Sequence, residues 1–520
     1  MLLALLWGAA QAASLDNLEV GGAYGTPLAT NPTAGWYNPA NLAAGRGTRY
    51  LLHGAPTLAT VDINRDDPYH GGADQLKLFG VIPFAGVASD FGQDWLGVGL
   101  SMSVPYARGG AEPNEPGPVS FSIRNGMQQV INGNLAVAFK PPKSPVSFGG
   151  GLSVVHSSFA AVIDSELTTA LDHQIALLGQ ESGYTDAQIE DPDYTTTLNF
   201  DALTATKLSF NVGVRGDVGP VSMAVGYVHG VHLSHKGDLT MVFGCPPEED
   251  VKGRLGAEQY GLCDATLNAH GAMGYDLPSR LHFGVGYKPI EQVELQAIGG
   301  YTMWSTYKDF HVIVSDVAEL NPDLPEDKDT ASLVEQDRKW ARDNVNTFWL
   351  GLDVKGQVLD DRVLIGGRVL YDRSAIPSHA ASANNYDANT VITGLVFGYH
   401  PVPWLGIGVD YSHLFVADRT ISDSAFAVTL DPANRNEDRY FYPHANGTYS
   451  ANIDRFGVAI SGEIGAKKKK AKAALGEPKK KAESNEYLDG LLKPKSAPVE
   501  PTPPVETDPE LMDIADPEEG

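Results

Sequence analysis

The stretch Gly35-Trp36-Tyr37-Asn38-Pro39-Ala40-Asn41-Leu42-Ala43 lies between an apolar leader and the first long alternating segment. It is too short for a strand, and Pro39 with the flanking Gly35 and Gly45 breaks a helix. A compact apolar plug ahead of amphipathic strands needs something to plug. The stretch therefore reads as the plug of a β-barrel, with residues 13–45, rich in small side chains, as an N-terminal hatch.

Beyond the hatch the chain takes up a period of two. About fourteen such segments run over residues 46–63, 73–91, 94–105, 119–139, 146–161, 200–216, 219–240, 270–288, 291–315, 342–357, 361–374, 388–400, 403–420 and 447–464. Phe348, Leu350, Leu352 and Val354 alternate with Thr347, Trp349, Gly351, Asp353 and Lys355. Phe456, Val458 and Ile460 alternate with Arg455, Gly457, Ala459 and Ser461. A soluble sandwich has the same period, so alternation alone does not decide the class.

The connections decide it. Links after even-numbered segments are short, as at Phe91-Gly92-Gln93, Gly216-Asp217-Val218 and Pro289-Ile290. Links after odd-numbered segments are long, notably 162–199, 241–269, 316–341 and 421–446. Outer-membrane barrels sort their loops this way, with short periplasmic turns and long external loops. The expected fold is all-β, a 14-stranded antiparallel transmembrane barrel over residues 46–464. Tyr50, Trp95, Tyr287, Trp304, Tyr371, Trp404 and Tyr411 are candidates for its interfacial girdles.

Composition agrees. Hydrophobic residues make up 42% of the 520 positions, too few for a helical membrane protein. Beyond the first dozen residues no apolar run approaches the ~18–20 of a spanning helix. A formal charge of -26 speaks against a nucleic-acid partner. Residues 1–12 read as a signal peptide ending in Ala10-Gln11-Ala12, without a basic start. Residues 465–520 carry two lysine clusters, then proline and acid; they read as a disordered periplasmic tail, with Tyr487–Leu492 as a patch for a periplasmic partner.

The chain resembles the FadL/TodX-type outer-membrane transporters. The likeness is carried by Trp36–Ala43, Leu277-Pro278-Ser279-Arg280-Leu281-His282-Phe283, Tyr301-Thr302-Met303-Trp304-Ser305 and Gly366–Pro377, in that order over residues 13–464. The resemblance implies passive uptake of long-chain fatty acids or, in related members, aromatic hydrocarbons. Ligand would be captured between external loops three and four, enter a lumenal pocket, and leave sideways at a kinked third strand. Asn38, Pro39 and Ala40 would form the gating motif of the hatch. Asn41 stands where the family usually has glycine, and a tail continues past the point where the family usually ends on an aromatic residue. The implied partners are hydrophobic small molecules and outer-membrane lipids, with no enzymatic step and no cofactor.

A fatty acid site needs an apolar wall and one or two charged donors. In the third external loop Leu167, Leu171, Ile175 and Leu178 fall on one helical face. By parity Lys207, Arg215, Arg280, His282 and Arg368 face the lumen; Arg280 and Arg368 are the candidate carboxylate partners, against the alternative that each pairs with a lumenal carboxylate such as Asp353. Gly97 and Gly99 mark the expected strand-three kink. Cys245 and Cys263 share the fourth loop, and in an oxidising compartment they read as a disulfide stabilising it by about 3 kcal/mol.

No phosphate loop, metal cluster or G-x-S-x-G occurs; His229, His232 and His235 read as exposed. Ser412-His413 are strand neighbours facing opposite sides and cannot make a nucleophile–base pair. The competing reading is a structural or adhesive outer-membrane protein acting through its loops and tail.

Overall fold

The computed structural model describes residues 16–66, 71–111, 117–120, 122–166, 195–243, 266–317, 336–424 and 445–465. Residues 1–12, most of the tail, Leu167, Leu171, Ile175, Leu178, Cys245 and Cys263 lie outside that set.

The described strands form one antiparallel sheet, closed where β1 (Thr48–Arg65) pairs with β19 (Gly447–Ile464). Between them run β2 (Gly72–Ser89), β3 (Leu96–Ala111), β4 (Asn125–Phe139), β5 (Val146–Glu166) and β6 (Thr195–Val218). Then come β7 (Val221–Val228), β8 (Val231–Phe243), β9 (Thr266–Leu277), β10 (Arg280–Ile290), β11 (Val293–Thr302) and β12 (Asp309–Ser315). The set is completed by β13 (Gln336–Ala341), β14 (Thr347–Val358), β15 (Val363–Asp372), β16 (Thr390–Val402), β17 (Leu405–Val416) and β18 (Arg419–Ile421).

Five of the spanning strands are interrupted. β7 and β8 both pair with β6, and β17 and β18 both pair with β19. β9–β10, β11–β12 and β13–β14 are likewise halves of single staves, so the nineteen segments make a 14-stranded barrel. Closure leaves no free sheet edge, which is what lets strands cross hydrocarbon.

The barrel is apolar outside, and polar residues line much of the interior beside buried apolar ones such as Leu233 and Leu239. Phe348, Leu350, Leu352 and Val354 of β14 are exposed, whereas Thr347, Trp349 and Asp353 between them are buried. In β10, Phe283, Val285 and Tyr287 face out while Arg280 and His282 face in. A water-soluble protein would reverse this, since burial of apolar surface drives folding in water. Trp95, Tyr287, Tyr371, Trp404 and Tyr411 are exposed as girdle residues should be. Trp304 is not: it occupies a 3-10 turn breaking the stave between β11 and β12, and it packs inward. The break itself, rather than strand parity, sets its direction.

Thr48 is paired with both Ile464 and Ser89, so the hatch–barrel junction and the last strand's end lie at the short-turn rim.

Candidate functional site

The hatch fills the lumen from Asp16 onward. Its centre is a short helix α1 (Ala34–Tyr37) succeeded directly by a 3-10 helix, Pro39–Ala44. Asn38 separates the two, and its side chain accepts from the Ala40 amide at 3.0 Å. Pro39 then fills the first position, where no amide hydrogen is needed. Asn38 also donates through Nδ2 to the Val214 carbonyl at 3.0 Å, so one side chain both caps the turn and moors it to the wall. Asn41 is no spare substitution for glycine. It donates to Pro27 O at 2.7 Å and accepts from Arg215 at 3.3 Å.

The wall is shaped to this plug. A Cβ on Gly149 would come within 2.4 Å of the Ala40 nitrogen, and one on Gly213 within 1.9 Å of the Asn38 Oδ1. Elsewhere the wall supplies donors for hatch carbonyls, which cannot reach water. Arg215 donates to Leu28 O at 2.9 Å, Asn211 to Gly35 O at 2.6 Å, Ser147 to Ala40 O at 3.1 Å, and Arg49 to Thr30 O and Leu42 O.

Charge fixes the start of the hatch. Glu19 accepts from Arg455 at 2.8 Å and from Ser412 at 3.0 Å, with Arg368 3.5 Å away, all buried. Arg368 is bound to Asp353 at 2.8 Å and donates to Ala23 O at 2.8 Å and Gly25 O at 3.3 Å. Arg280 pairs with Asp16, donates to Tyr106 Oη at 3.0 Å and lies 4.3 Å over the Tyr106 ring. The two sequence candidates for a carboxylate partner are therefore engaged, and chiefly by the hatch. Among the other parity candidates Arg215 and His282 are buried at the hatch, with His282 Nδ1 3.2 Å from Tyr37 O, and Lys207 is exposed.

The third strand is interrupted farther along than expected. β2 and β3 pair from Phe84–Ser103 to Ser89–Val98 and again at Lys77–Ala111, with no pairs between. The gap falls at 78–83 and 104–110. Gly97 and Gly99 lie in regular pairing with β4 and leave room for Leu42 instead. Proline accounts for the position: Pro83 and Pro105, one on each strand, have no amide hydrogen to give. Against β4 two residues, Val104 and Pro105, stand opposite Ile131 alone, a bulge that turns β3 inward. The freed β3 backbone pairs with the hatch. Asp16 bridges Tyr106, the Asn17 amide donates to Pro105 O at 2.9 Å, and Asn17 Nδ2 to Val104 O at 3.3 Å.

Beside this gap is a cavity of about 70 Å³, walled by Val61, Leu76, Leu78, Ile123, Phe159 and Phe310. Into it come Arg108, from β3, and Arg342, at the β13–β14 break. Arg108 donates to Gln128 at 3.1 Å, and Arg342 lies 5.1 Å over the Phe310 ring. The Arg342 Nε is buried without a hydrogen-bond partner. Among the described residues neither guanidinium has a carboxylate partner, unlike Arg280, Arg368 and Arg455. Sequence reasoning missed these two arginines. Arg108 stands two residues beyond the inward Tyr106, but its vacancy depends on what the other staves bring near it.

Among the described residues the remaining chemistry-bearing groups make no catalytic or metal site. Ser412 points in to Glu19 while His413 points away to Asp454 at 2.9 Å. His229, in the break before β8, is exposed; within β8 His232 is exposed but His235 is buried and stacked on Tyr275, because odd and even positions of a strand face opposite ways. No group of metal-ligating side chains forms among the described residues.

The closed 14-stranded barrel thus has an inward third strand and a lumen stoppered by Asn38-Pro39-Ala40, and the sequence profile described as outer membrane protein transport protein (OMPP1/FadL/TodX) matches residues 7–457. The chain belongs to this family. It is an outer-membrane transport channel of a family that carries hydrophobic compounds, channels rather than enzymes. Solved structures share the fold. A Pseudomonas aeruginosa FadL homologue superposes with a TM-score of 0.65 at 15% identity, over 88% of this chain and 99% of that one. The P. putida toluene transporter TodX gives 0.60 at 13%, over 88% and 99%. The CymD monoaromatic hydrocarbon channel gives 0.57 at 13%, over 88% and 99%. No curated protein sequence matches.

Proposed function

We propose that this channel admits long-chain fatty acids, or other amphiphiles with one carboxylate and an apolar chain, by passive diffusion. The single observation that carries the reading is the pair Arg108 and Arg342, two cations without a carboxylate partner among the described residues, in a largely apolar cavity beside the β2–β3 gap whose other polar groups, Gln128, Asn384 and Tyr386, are neutral. Taking such groups from water is costly unless they gain an anion. A monoaromatic hydrocarbon offers none. The cavity is smaller than the ~150 Å³ that holds benzene, so occupation entails displacing part of its lining.

In this reading Leu167, Leu171, Ile175 and Leu178 collect the ligand outside, and a disulfide between Cys245 and Cys263 stiffens the neighbouring loop. The Asn38-Pro39-Ala40 turn moves to open the lumen, and the tail leaving the short-turn rim begins in the periplasm.

The test compares hexadecanoate, 1-hexadecanol and toluene as ligands of the delipidated full chain. Hexadecanoate binds most tightly. The double variant R108Q/R342Q weakens it about ten- to a hundredfold, as loss of charge-assisted hydrogen bonds implies, and leaves hexadecanol unchanged. Equal binding of acid and alcohol, or saturable binding of toluene alone, overturns the reading.

A further inference from the structure

The Arg280 site is built like a carboxylate receptor, and the chain's own carboxylate is in it. Arg280 is buried over Tyr106, with Trp36 5.9 Å away and itself edge-on to the Tyr106 ring. Its Nε is spent on Tyr106 Oη, leaving the far end of the fork for an anion. That anion is Asp16, the first described residue of the hatch and the one that bridges β3 at the gap.

The site is connected to Arg108 and Arg342. Tyr106 and Arg108 lie on one face of β3, two residues and about 7 Å apart. Aromatic rings line the way between them. Tyr275 is 5.8 Å from Tyr307, Tyr307 6.4 Å from Trp304, and Trp304 6.4 Å from Tyr106. An acyl chain can track such a wall while its head group steps from Arg108 to Arg280.

We propose that Arg280 is a second carboxylate station of the transport path, held in the resting channel by Asp16 as an internal stand-in, and that an incoming ligand carboxylate takes the place of Asp16. The inference rests on the carboxylate reading of the Arg108–Arg342 cavity. Exchange has a mechanical consequence. Asp16 and Asn17 are the residues that pair with Tyr106, Val104 and Pro105. When Asp16 leaves, the hatch loses its bridge to β3 at the place where β3 has no bonds to β2. A neutral ligand has no group to offer Arg280 and does not trigger this release. Burial, opposed by Arg280, holds the Asp16 carboxyl above its ordinary value.

The test uses the full chain in non-ionic detergent and two probes, 2-bromohexadecanoate and 2-bromohexadecan-1-ol, whose bromine quenches Trp36 and Trp304 beside Arg280. Asp16→Asn tightens the acid about tenfold and leaves the alcohol unchanged, and D16N/R280Q loses that gain. In the unaltered protein hexadecanoate, but not hexadecanol, speeds amide exchange over residues 17–25; this measurement stands even where a variant fails to fold. If D16N leaves the acid's affinity unchanged or tightens both probes equally, or if exchange responds equally to acid and alcohol, the proposal is overturned. The R108Q/R342Q variant separates the two claims. Unaltered acid binding there removes the cavity reading, whereas an indifferent D16N removes only the exchange at Arg280.

Discussion

Glu19 and Arg455 are 436 positions apart in the chain and 2.8 Å apart in the barrel. The pair joins the hatch to the last strand, three residues on from the Asp16 bridge to β3. Both ends of this short N-terminal run are thus clamped, one by charge and one by backbone pairing.

Removing the charge clamp loosens the plug without opening the wall. Glu19→Gln leaves Arg455 without its carboxylate, while Arg368 keeps Asp353. Breaking one partner of a buried pair costs roughly 3 kcal/mol. Amide exchange in the hatch should rise by about two orders of magnitude while that of β14–β16 stays put. Unchanged hatch protection would show that Glu19 is not a clamp.

The glycine seat gives a steric counterpart. Gly149→Val drives its side chain into the Ala40 backbone, which cannot yield as a side-chain tip can. The strand ladder around Gly149 pairs normally, so the barrel persists and the Asn38-Pro39-Ala40 turn is displaced. Uptake of a radiolabelled fatty acid should change at least severalfold, with heat-modifiable gel mobility retained. Wild-type uptake by a folded variant would remove the gating role of that turn.

Deleting residues 13–45 should leave a closed barrel, because the β1–β19 seam does not include them. It also exposes Arg49, Arg215, Arg280, Arg368 and Arg455, whose hatch acceptors are gone. The expected product is a wide, anion-selective pore in planar bilayers. A reversal potential of cation sign would contradict this charge assignment.

Asp387, in the segment joining β15 to β16, supplies a pH dependence. Burial is the main cause of its rise to about 7, with Asp16 adding to it; the Ala375 amide, Ser374 and Arg419 work in the other direction. A carboxyl raised on folding favours the folded segment at low pH. Its contribution is complete below the ordinary value of 3.8 and is lost as pH rises through about 7. Residues 373–389 should therefore resist proteolysis better at pH 5 than at pH 8. Asp387→Asn should abolish the difference; a difference of equal size in that variant would place its origin elsewhere.

The range of the forces involved sets how much of the fold is legible in the sequence. Strand direction is a local matter: Phe348, Leu350, Leu352 and Val354 face lipid because alternate side chains must, and parity gives their side correctly. It also places Arg280, Arg368 and His282 inward. It fails at Trp304 and at the β2–β3 gap, where a 3-10 turn and a bulge break the count. Pro83 and Pro105 are the local signal for that gap. Glycine only weakens a ladder, whereas proline removes a donor from it outright.

The sequence by itself determined the barrel, its strand count, and the inward and outward faces, since each depends on neighbours a few residues apart. Only the tertiary structure decided which inward arginine meets a carboxylate and which, among the described residues, does not. Arg280 meets Asp16, Arg455 meets Glu19, Arg108 meets the neutral Gln128 and Arg342 the Phe310 ring, because closing the cylinder brings together residues that no local pattern relates.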